Sequence, residues 1–264
     1  MTDIGPGTGA VRGPTKISVV TITLNSAATI ADTLQSVASQ TYPDVEHLVI
    51  DGNSSDDTLS IVQEHGRSGI RVLSEPDGGI YQAMNKGLRL AQGELVGFLN
   101  ADDVYQDAQV LTQVAQAAQD GRVDAIYGDL VYVSRTDPAR VIRHWHSGRW
   151  THRGLRFGWM PPHPTLYVRK ALIDRLGGFD ERLRIAADYD FMLRLLKGPR
   201  IRVAYLDRVL VRMRTGGASN RSLAMMWRKS REDLMALRRN HIGGWFTLLC
   251  KNVRKLPQFV HGKF

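Results

Sequence analysis

The 264-residue sequence predicts an α/β fold: a mainly parallel, doubly wound sheet with helices on both faces, followed by a C-terminal helical tail. Three observations support this class. Short apolar runs rich in β-branched residues alternate with segments whose apolar residues recur at helical spacing, which is typical of strand-helix-strand units. Polar residues follow directly after several predicted strands. The hydrophobic fraction of 43% is sufficient for a buried core, which excludes a disordered chain.

The first strand-helix-strand unit lies near the N-terminus. Residues 17–24 lack the alternation of a half-exposed strand, so we predict a strand that is buried on both faces. Apolar residues then recur at helical spacing over residues 30–37, and Tyr42-Pro43 ends that helix. A second strand is predicted at residues 45–50, directly before Asp51.

The same alternation continues along the next part of the chain. A capping cluster at residues 53–57 precedes a second helix, and residues 70–73 form a third strand. A third helix is predicted at residues 80–91, followed by a fourth strand at residues 95–99. Successive strands that are joined by helices in this way usually pair in parallel.

The second half of the sequence changes in composition. Strands are predicted at residues 123–132 and 166–168, and helices at residues 171–176 and 186–196. Residues 1–129 hold 7 basic and 17 acidic side chains, whereas residues 130–264 hold 28 basic and 9 acidic ones. We therefore expect the second half to face an anionic partner surface.

Cysteine usage and hydropathy favour a reducing compartment. Cys250 is the single cysteine, so an internal disulfide is excluded. Met1 is followed by polar, Gly-rich residues rather than by a charged start and an apolar block. No run approaches the roughly 18 apolar residues of a membrane-spanning helix. The expected location is the cytoplasm.

The predicted strands are followed by residues whose side-chain oxygen atoms can act as ligands. Because ligands of open α/β sheets bind beyond the carboxyl ends of the strands, we expect these residues to share one crevice. Carboxylates at one rim repel each other unless a cation or polar ligand lies among them. Oxygen ligands without a His-Cys cluster favour Mg²⁺ or Mn²⁺, which commonly arrive with phosphates, so a nucleotide ligand is predicted. The residues are Asn25, Asp51, Asp77, Asn100, Asp102 and Asp103.

A series of short motifs marks this part of the chain and continues to residue 219. The motifs are residues 19–25 (VVTITLN), 49–58 (VIDGNSSDDT), 76–87 (PDGGIYQAMNKG), 93–94 (GE), 98–103 (FLNADD), 177–181 (GGFDE), 187–191 (ADYDF) and 216–219 (GGAS). In order and spacing they resemble the family 2 glycosyltransferases with the Rossmann-like GT-A fold, in the branch that works on bacterial surface polysaccharides. Each motif is weak alone, whereas the ordered set is specific.

The resemblance implies a pocket for the nucleotide half of a sugar-nucleotide donor. Thr23, Asn25, Asp51 and Asp77 match positions around base and ribose, where a carboxylate accepts hydrogen bonds from an imide N–H or ribose hydroxyls. Lys86 matches a basic position near the phosphates. Two alternatives stay open: Asp51 as the cap of the next helix, and Lys86 as a solvated helix lysine.

The triplet Asn100-Ala101-Asp102 stands where the family has its Asp-x-Asp motif. The resemblance implies that these residues contact the donor and that Asp102 binds the Mg²⁺ or Mn²⁺ ion bridging its phosphates. Asn100 replaces the first aspartate, which removes one charge but keeps a hydrogen-bonding side chain for the ribose. Asp103 is expected either to support the metal site or to cap a local turn.

Asp188 matches the second acid of the family's Glu-Asp pair, and Ala187 replaces the first. The resemblance implies that Asp188 is the catalytic base, which takes the proton of an acceptor hydroxyl as the sugar is transferred with inversion. Asp190 is the alternative base. A further alternative is that both carboxylates simply stabilise the N-terminal turn of a helix.

His163 and two arginines match positions that contact acceptor or diphosphate in the family. His163 lies between prolines and is equally well explained as a packing or turn residue. Arg212 and Arg214, with Gly216-Gly217, resemble a mobile closing segment whose cations meet the phosphates. Ordinary surface roles stay open for both arginines.

The domain organisation follows from the extent of the resemblance. We predict a flexible leader at residues 1–15 and a GT-A domain at residues 16–220, divided at 129/130 into nucleotide-sugar-binding and acceptor-binding halves. Residues 221–264 form a basic helical tail with 10 basic and 2 acidic side chains. Its apolar side chains predict either an interfacial membrane helix or a cap on the core. They are Trp227, Leu234, Leu237, Trp245, Leu248 and Leu249.

The predicted function is therefore inverting transfer of a sugar from a nucleotide-diphosphate donor, by default a UDP-sugar, to a saccharide or lipid-linked acceptor. This places the protein in bacterial cell-surface polysaccharide or glycolipid synthesis, at the inner face of the cell membrane. One alternative is a sugar nucleotidyltransferase with the same fold. A nucleic-acid-binding protein is a weaker alternative, because the basic residues are remote from the acidic crevice and no nucleic-acid-binding motif accompanies them.

Overall fold

A computed structural model describes residues 14–66, 69–119, 121–216 and 223–254. Strands and helices alternate along most of these ranges. The strands are β1 (Ile17–Thr23), β2 (Val45–Asp51), β3 (Arg71–Ser74), β4 (Leu95–Phe98), β5 (Val104–Tyr105), β6 (Ala125–Val133), β7 (Val141–Trp145), β8 (Tyr167–Arg169) and β9 (Val203–Arg214). The helices are α1 (Ile30–Ala38), α2 (Thr58–His65), α3 (Ile80–Leu90), α4 (Val110–Ala118), α5 (His152–Arg156), α6 (Lys170–Leu176), α7 (Ala187–Leu196), α8 (Leu223–Arg239) and α9 (Trp245–Val253).

These nine strands of the described ranges form one sheet in the order β3-β2-β1-β4-β8-β6-β9-β5, with β7 paired to β6. β1 pairs in parallel with β2 and β4, and β2 with β3, as the strand-helix-strand pattern predicts. β9 also pairs in parallel with β6. Every antiparallel pair among them involves a strand after β4. The α/β class is confirmed, and the second half of the sheet is mixed rather than parallel.

Buried side chains lie on both faces of the sheet because successive strand residues point to opposite sides. Val20 and Ile50 belong to one buried cluster, together with residues of α3, α6, α7 and α8. Ile17 and Val19 belong to another, together with residues of α4. β1 and β2 are buried along almost their whole length, which agrees with the predicted strands between two helical layers.

The apolar side chains predicted for the C-terminal helices have two different surroundings. Leu234, Leu237 and Leu248 are buried in the cluster that contains α7, so these three form a cap on the core. Trp227, Trp245 and Leu249 are 67%, 66% and 61% exposed. The cap on the core therefore describes the three buried leucines, and membrane contact of the exposed residues stays a prediction.

Some of the predicted segments and boundaries do not coincide with the described elements. Residues 1–13, residues 217–219 of the predicted closing segment and residues 255–264 of the tail lie outside the described ranges. β6 crosses the predicted division at residues 129/130, so the two predicted halves share one sheet. Across the residues that are described, we find no helix with the length and apolarity needed to span a membrane.

Candidate active site

The carboxyl ends of β1, β2 and β4 lie side by side at one edge of the sheet. Thr23, the last residue of β1, pairs with Asp51, the last residue of β2. On the other side of β1, the amide of Ala101 donates to the carbonyl oxygen of Ile22 over 3.3 Å. This bond continues the β1–β4 pairing beyond β4 and brings the segment that begins at Asn100 to the same edge. We call this edge, together with Asp77 and Asp102, the strand-end rim.

Asp51 is fully buried, and two serines hold its carboxylate. Oδ1 accepts a hydrogen bond of 2.5 Å from the Ser54 hydroxyl, and Oδ2 accepts bonds from the Ser54 amide (3.0 Å) and the Ser74 hydroxyl (2.7 Å). These bonds fix the loop after β2 against the end of β3. The side chain of Asp56, not Asp51, accepts a bond from the amide of Thr58 at the start of α2.

Asn25 connects the loop after β1 to the loop after β2. Its φ angle of 49° lies in the left-handed region, which asparagine tolerates better than most residues. Its amide donates to Ser54 Oγ over 2.8 Å, and its side-chain oxygen accepts a bond of 2.9 Å from the Ser55 amide. Asn25 therefore shapes the strand-end rim by holding two loops together.

Asp77 lies next to the tip of β2, between β3 and α3. A Cβ atom added to Gly52 would lie 3.4 Å from Asp77 Oδ2, so the carboxylate faces this glycine. Lys86 Nζ forms ion pairs of 2.5 Å with Asp77 and 2.8 Å with Glu75. Burial acts to lower the pKa of Lys86, but hydrogen bonds to the two carboxylates raise it above its ordinary value. Lys86 is thus a buried, fixed cation, not a solvated lysine.

The segment after β4 brings two carboxylates together. Asp103 is fully buried and accepts hydrogen bonds of 3.2 Å from Asn100 Nδ2 and from the Arg214 amide. Burial raises the pKa of Asp103 well above its ordinary value, and the charge of Asp102 raises it further. Burial also raises the pKa of Asp102, although the charges of Arg214 and Arg135 act to lower it. A cation bound at Asp102 would stabilise its ionised form.

The two arginines of β9 have different surroundings. Arg214 is almost fully buried, donates from Nη1 to the carbonyl oxygen of Asp102 over 2.9 Å and forms an ion pair with Asp32. Arg212 donates from Nε to Gln106 Oε1 over 2.9 Å, and from Nη1 to a backbone carbonyl oxygen over 2.8 Å. The structure therefore places Arg214, but not the Arg212 guanidinium, in contact with the Asp102 segment.

Three side-chain oxygen atoms at the strand-end rim are buried and accept or donate no hydrogen bond within the described ranges. They are Thr23 Oγ1, Asp77 Oδ2 and Asn100 Oδ1. These atoms come from the ends of three different strands. Because buried polar atoms are nearly always hydrogen-bonded in folded proteins, their convergence indicates a polar ligand at this rim.

Asp188 lies half-buried in the first turn of α7 and faces α3. Its Oδ1 accepts a hydrogen bond of 2.8 Å from the Tyr189 amide and lies 3.1 Å from the Tyr81 hydroxyl, which also lies 2.7 Å from the Ile185 carbonyl oxygen. Glu232 of α8 accepts a bond of 2.8 Å from the Ile185 amide. Tyr81 and Glu232 therefore fix the turn that presents the Asp188 carboxylate.

The sequence analysis did not single out these two supporting residues. Tyr81 lies within the motif of residues 76–87, so the motif was a signal that could have indicated it. Burial raises the pKa of Tyr81 and the charge of Asp188 raises it further, so the phenol stays protonated. Glu232 belongs to the tail, where no local sequence signal connects it with Asp188.

His163 is enclosed by aromatic rings beside Asp188. Its ring centroid lies 5.6 Å from that of Phe98 and 5.7 Å from that of Phe179. Burial lowers the pKa of His163, while the charge of nearby Asp188 acts in the opposite direction. Phe98 ends β4, two residues before Asn100. His163 thus packs on the strand that leads to the strand-end rim and is close enough to Asp188 to be affected by its charge.

Asp190, the alternative base, is fully buried. Its carboxylate forms an ion pair of 2.8 Å with Arg194 Nε and accepts a hydrogen bond of 2.9 Å from Nδ2 of Asn240, the residue directly after α8. Both carboxylate oxygens are therefore occupied in packing α7 against α8. Of the two acids, Asp188 alone is partly accessible.

A mixed Asp/His cluster lies elsewhere on the sheet, between β6, β7 and β9. One ligand atom from each of Asp129, His146 and Asp207 lies within 4.8 Å of the others. His146 Nδ1 lies 2.8 Å from Asp129, and the Tyr205 hydroxyl donates to both carboxylates. Asp207 precedes the rim residue Arg214 by seven positions of β9, on the order of 20 Å in an extended strand. This cluster is separate from Asp102.

The sheet order, with helices on both faces, defines an α/β protein of the GT-A type. Residues 18–175 match the family described as Glycosyl transferase family 2. A PGL/p-HBAD biosynthesis glycosyltransferase of Mycobacterium bovis is 33% identical over 208 residues, covering 77% of this chain and 78% of that protein. An uncharacterized glycosyltransferase of Mycobacterium tuberculosis is 33% identical over 186 residues, covering 67% and 68%. The chain therefore belongs to glycosyltransferase family 2, as predicted.

Solved structures confirm the GT-A arrangement. Staphylococcus aureus TarS 1–349 in complex with UDP-GlcNAc aligns with a TM-score of 0.64 at 21% identity, covering 94% of this chain and 79% of that one. The mannosyltransferase PcManGT of Pyrobaculum calidifontis, in complex with GDP-Man and Mn²⁺, aligns with a TM-score of 0.65 at 19% identity, covering 95% and 74%. At these identities the similarity establishes the fold alone.

Proposed function

We propose that this glycosyltransferase transfers a sugar from a nucleoside diphosphate sugar, with inversion at the anomeric carbon, to a saccharide or lipid-linked acceptor in bacterial cell-surface polysaccharide or glycolipid synthesis. The observation that carries the proposal is that three buried oxygen atoms at the strand-end rim, of Thr23, Asp77 and Asn100, have no hydrogen-bond partner among the described residues. A sugar nucleotide offers the ribose hydroxyls, imide N–H and phosphates that such a set of groups recognises.

In this proposal the donor nucleoside lies between the tips of β1 and β2. Thr23 and Asp77 contact base and ribose, whereas Asn25 and Asp51 hold the loops that shape the pocket. Asn100 and Ala101 lie beside the ribose and diphosphate. The UDP-GlcNAc bound by TarS and the GDP-Man bound by PcManGT support a nucleotide-sugar donor, and a UDP-sugar is the first choice.

Mg²⁺ or Mn²⁺ fits the Asp102 side of the rim. The Asp102 carboxylate is a hard oxygen ligand whose burial raises its pKa, and Asn100 Oδ1 is an oxygen two residues away that has no partner within the described part of the chain. A divalent ion held there would neutralise charge on the departing diphosphate. Arg214 and Lys86 are buried cations of the same rim, and they would add to the positive potential around the phosphates.

Asp188 is proposed as the general base. Its carboxylate accepts the proton of the acceptor hydroxyl while the hydroxyl oxygen bonds to the anomeric carbon and the bond to the nucleoside diphosphate breaks. Attack from the face opposite the leaving group inverts the anomeric centre. Tyr81 and the Tyr189 amide hold the carboxylate, and His163, whose lowered pKa favours the neutral ring, lies where it contacts the acceptor or the diphosphate.

A lipid-linked acceptor requires the chain to work at a membrane. We propose peripheral contact of residues 221–264 with the inner face of the cell membrane, through exposed apolar residues such as Trp245 and Leu249 and not through the leucines that are buried on the core. The basic excess of this segment, 10 basic against 2 acidic side chains, favours an anionic surface.

The test is the product that the enzyme releases. The chain is incubated with UDP-, GDP- or dTDP-sugars, Mn²⁺ and a mixture of simple saccharide and glycolipid acceptors, and nucleotides are separated by chromatography. We expect acceptor-dependent release of nucleoside diphosphate, and proton NMR of the product should show the inverted anomer. A retained anomer would contradict the mechanism. Pyrophosphate release from a nucleoside triphosphate and a sugar phosphate would favour the nucleotidyltransferase instead.

A further inference from the structure

The outer face of α9 consists of large apolar side chains that are exposed. Trp245, Phe246, Leu249 and Val253 are between 51% and 66% exposed. At 100° per residue, these four positions fall within an arc of about 100° on the helix. The opposite face is buried through Thr247, Leu248 and Lys251. α9 therefore buries a face of mixed polarity on the core and turns a separate apolar face to solvent.

Phe157 extends this exposed face beyond the tail. Its ring lies edge-on to Phe246, with 6.0 Å between the ring centroids. The next residue, Gly158, has a φ of 72°, and a Cβ atom added to it would lie 2.3 Å from the backbone nitrogen of Lys251. Backbone contact therefore fixes Phe157 against α9. We call the set Phe157, Trp245, Phe246, Leu249 and Val253 the α9 surface.

The surroundings of the α9 surface are basic. Arg153, Arg156 and Arg254 are exposed next to it in the chain, and the Arg153 guanidinium lies 5.8 Å from the centroid of the Phe157 ring. Residues 138–173 and 234–264, which include α5 and α9, contain no Asp or Glu. Exposed aromatic residues with basic residues around them match the headgroup region of an anionic bilayer in both polarity and charge.

The α9 surface also lies close to the proposed base. On the inner face of α9, Lys251 Nζ lies 3.4 Å from the centroid of the Tyr189 ring, and Tyr189 directly follows Asp188. The outer face is thus separated from the Asp188 turn by the diameter of one helix, on the order of 10–12 Å, and the length of the Tyr189 side chain. The proposed base and the α9 surface therefore lie on the same side of the molecule.

We propose that the α9 surface docks the chain on an anionic phospholipid bilayer, with α9 lying in the plane of the interface. The apolar side chains enter the boundary between headgroups and acyl chains, and the arginines contact the lipid phosphates. Docking itself depends only on this surface. Docking would deliver a lipid-linked acceptor to Asp188, and this part of the proposal rests on the proposed function.

The experiment is flotation of the full chain with vesicles, without donor or acceptor. We expect binding to mixed phosphatidylglycerol and phosphatidylcholine vesicles, weak binding to phosphatidylcholine alone, and release as salt is raised from about 0.1 M to 0.5 M. The double variant Phe246→Ser/Leu249→Ser should bind at least about tenfold more weakly. The matched control is Val72→Ser, an exposed aliphatic residue on β3 at the opposite edge of the sheet, which should bind like the unchanged chain.

Charge is tested separately by Arg153→Gln/Arg156→Gln. Each arginine removed should weaken binding to the anionic vesicles about fivefold. Arg89→Gln, an exposed arginine at the end of α3, is the control and should leave vesicle binding unchanged. Circular dichroism melting curves confirm that the variants are folded. Equal losses in the test and control variants would overturn the proposal, as would a full chain that does not float with anionic vesicles.

Two further outcomes separate this proposal from its alternatives. Light scattering that shows a dimer of the unchanged chain, converted to monomer by Phe246→Ser/Leu249→Ser, would assign the α9 surface to a second copy and overturn the membrane proposal. Asp188→Asn should bind vesicles normally. Vesicle binding without any release of nucleoside diphosphate would support the docking surface while rejecting the proposed function.

Discussion

Asp188 and Asp190 stand two positions apart on α7 and have opposite environments. Side chains at i and i+2 of a helix point about 200° apart, so the two carboxylates cannot serve one site. Asp190 is occupied by Arg194 and Asn240 inside the protein. Asp188 faces Tyr81 and retains access to solvent. The residue environments, not the sequence spacing, therefore distinguish the proposed base from the structural acid.

Exchange of each acid for its amide should separate the two roles. Asp188→Asn is expected to lower kcat by about 10² to 10⁴ with an unchanged donor KM, because it removes only the proton acceptor. Asp190→Asn should instead lower the free energy of unfolding by about 3 kcal/mol, because it removes the buried charge that pairs with the partly buried Arg194. Initial rates and urea denaturation measure both effects. Unchanged turnover of Asp188→Asn would reject the assigned base.

His163 predicts a pH dependence of stability. Burial lowers its pKa in the folded state, against the opposing charge of Asp188, while the unfolded chain takes up the proton near pH 6.5. Just below that pH the unfolded state binds more protons, so the free energy of unfolding falls as pH drops from about 6.5 toward the lower folded pKa. The stabilisation is fully present above pH 6.5.

Urea denaturation at about pH 7.5 and 5.5 measures this difference. His163→Asn should lose less stability on acidification than the unchanged chain. The control is His241→Asn, because His241 is exposed and its φ of 56° suits asparagine. Its pH dependence should equal that of the unchanged chain. Identical pH dependence in His163→Asn would show that His163 is not the group responsible.

At the scale of the elements, the local pattern was sufficient for β1 to β4. The strand predicted at residues 17–24 is Ile17–Thr23, and that predicted at residues 95–99 is Leu95–Phe98. These strands are covered by helices on both faces, so they are short runs of β-branched and apolar residues without charged side chains, and the signal is local. The same reasoning predicted the strand-end rim. Neighbouring parallel strands end at one edge of a sheet, so the polar residues that follow them lie at that edge.

The second half shows where local patterns are insufficient. β9 spans Val203–Arg214, and most of its side chains are half-buried, so its pattern does not distinguish it from a loop. Its partner β6 is distant in sequence, and register shifts interrupt their pairing. Periodicity likewise showed that the tail is amphipathic but not which surface covers the leucines. Contacts such as Glu232 with the turn before Asp188 require the tertiary structure.

Gly158 is predicted to control how α9 is attached. Gly158→Ala should lower the free energy of unfolding by about 2–4 kcal/mol, because the new Cβ would overlap the Lys251 backbone in addition to straining the left-handed conformation. Gly148→Ala is the matched control, since Gly148 has a φ of 66° but open space around it. It should lose only about 1 kcal/mol. Thermal melts compare the two, and equal losses would contradict close α5–α9 contact.

At the scale of the whole molecule, a single sheet connects the proposed nucleotide site with the proposed base. The strands of the first half end in the strand-end rim, while the proposed base stands on α7 and is held by α8 and α9. The tail therefore belongs to the catalytic fold as well as to the proposed docking surface. Charge follows the same division, because the acidic half holds the rim and the basic half surrounds the α9 surface.

The central claim is that the strand ends form one metal-assisted nucleotide pocket, and thermal melting with UDP or GDP tests it most directly. A ligand that binds only the folded chain raises Tm. We predict a rise of several degrees that requires Mn²⁺, is lost in Asp102→Ala and is retained in Asp188→Asn. A Mn²⁺-dependent rise of the same size in Asp102→Ala, or no rise with any nucleoside diphosphate in the unchanged chain, would contradict the claim.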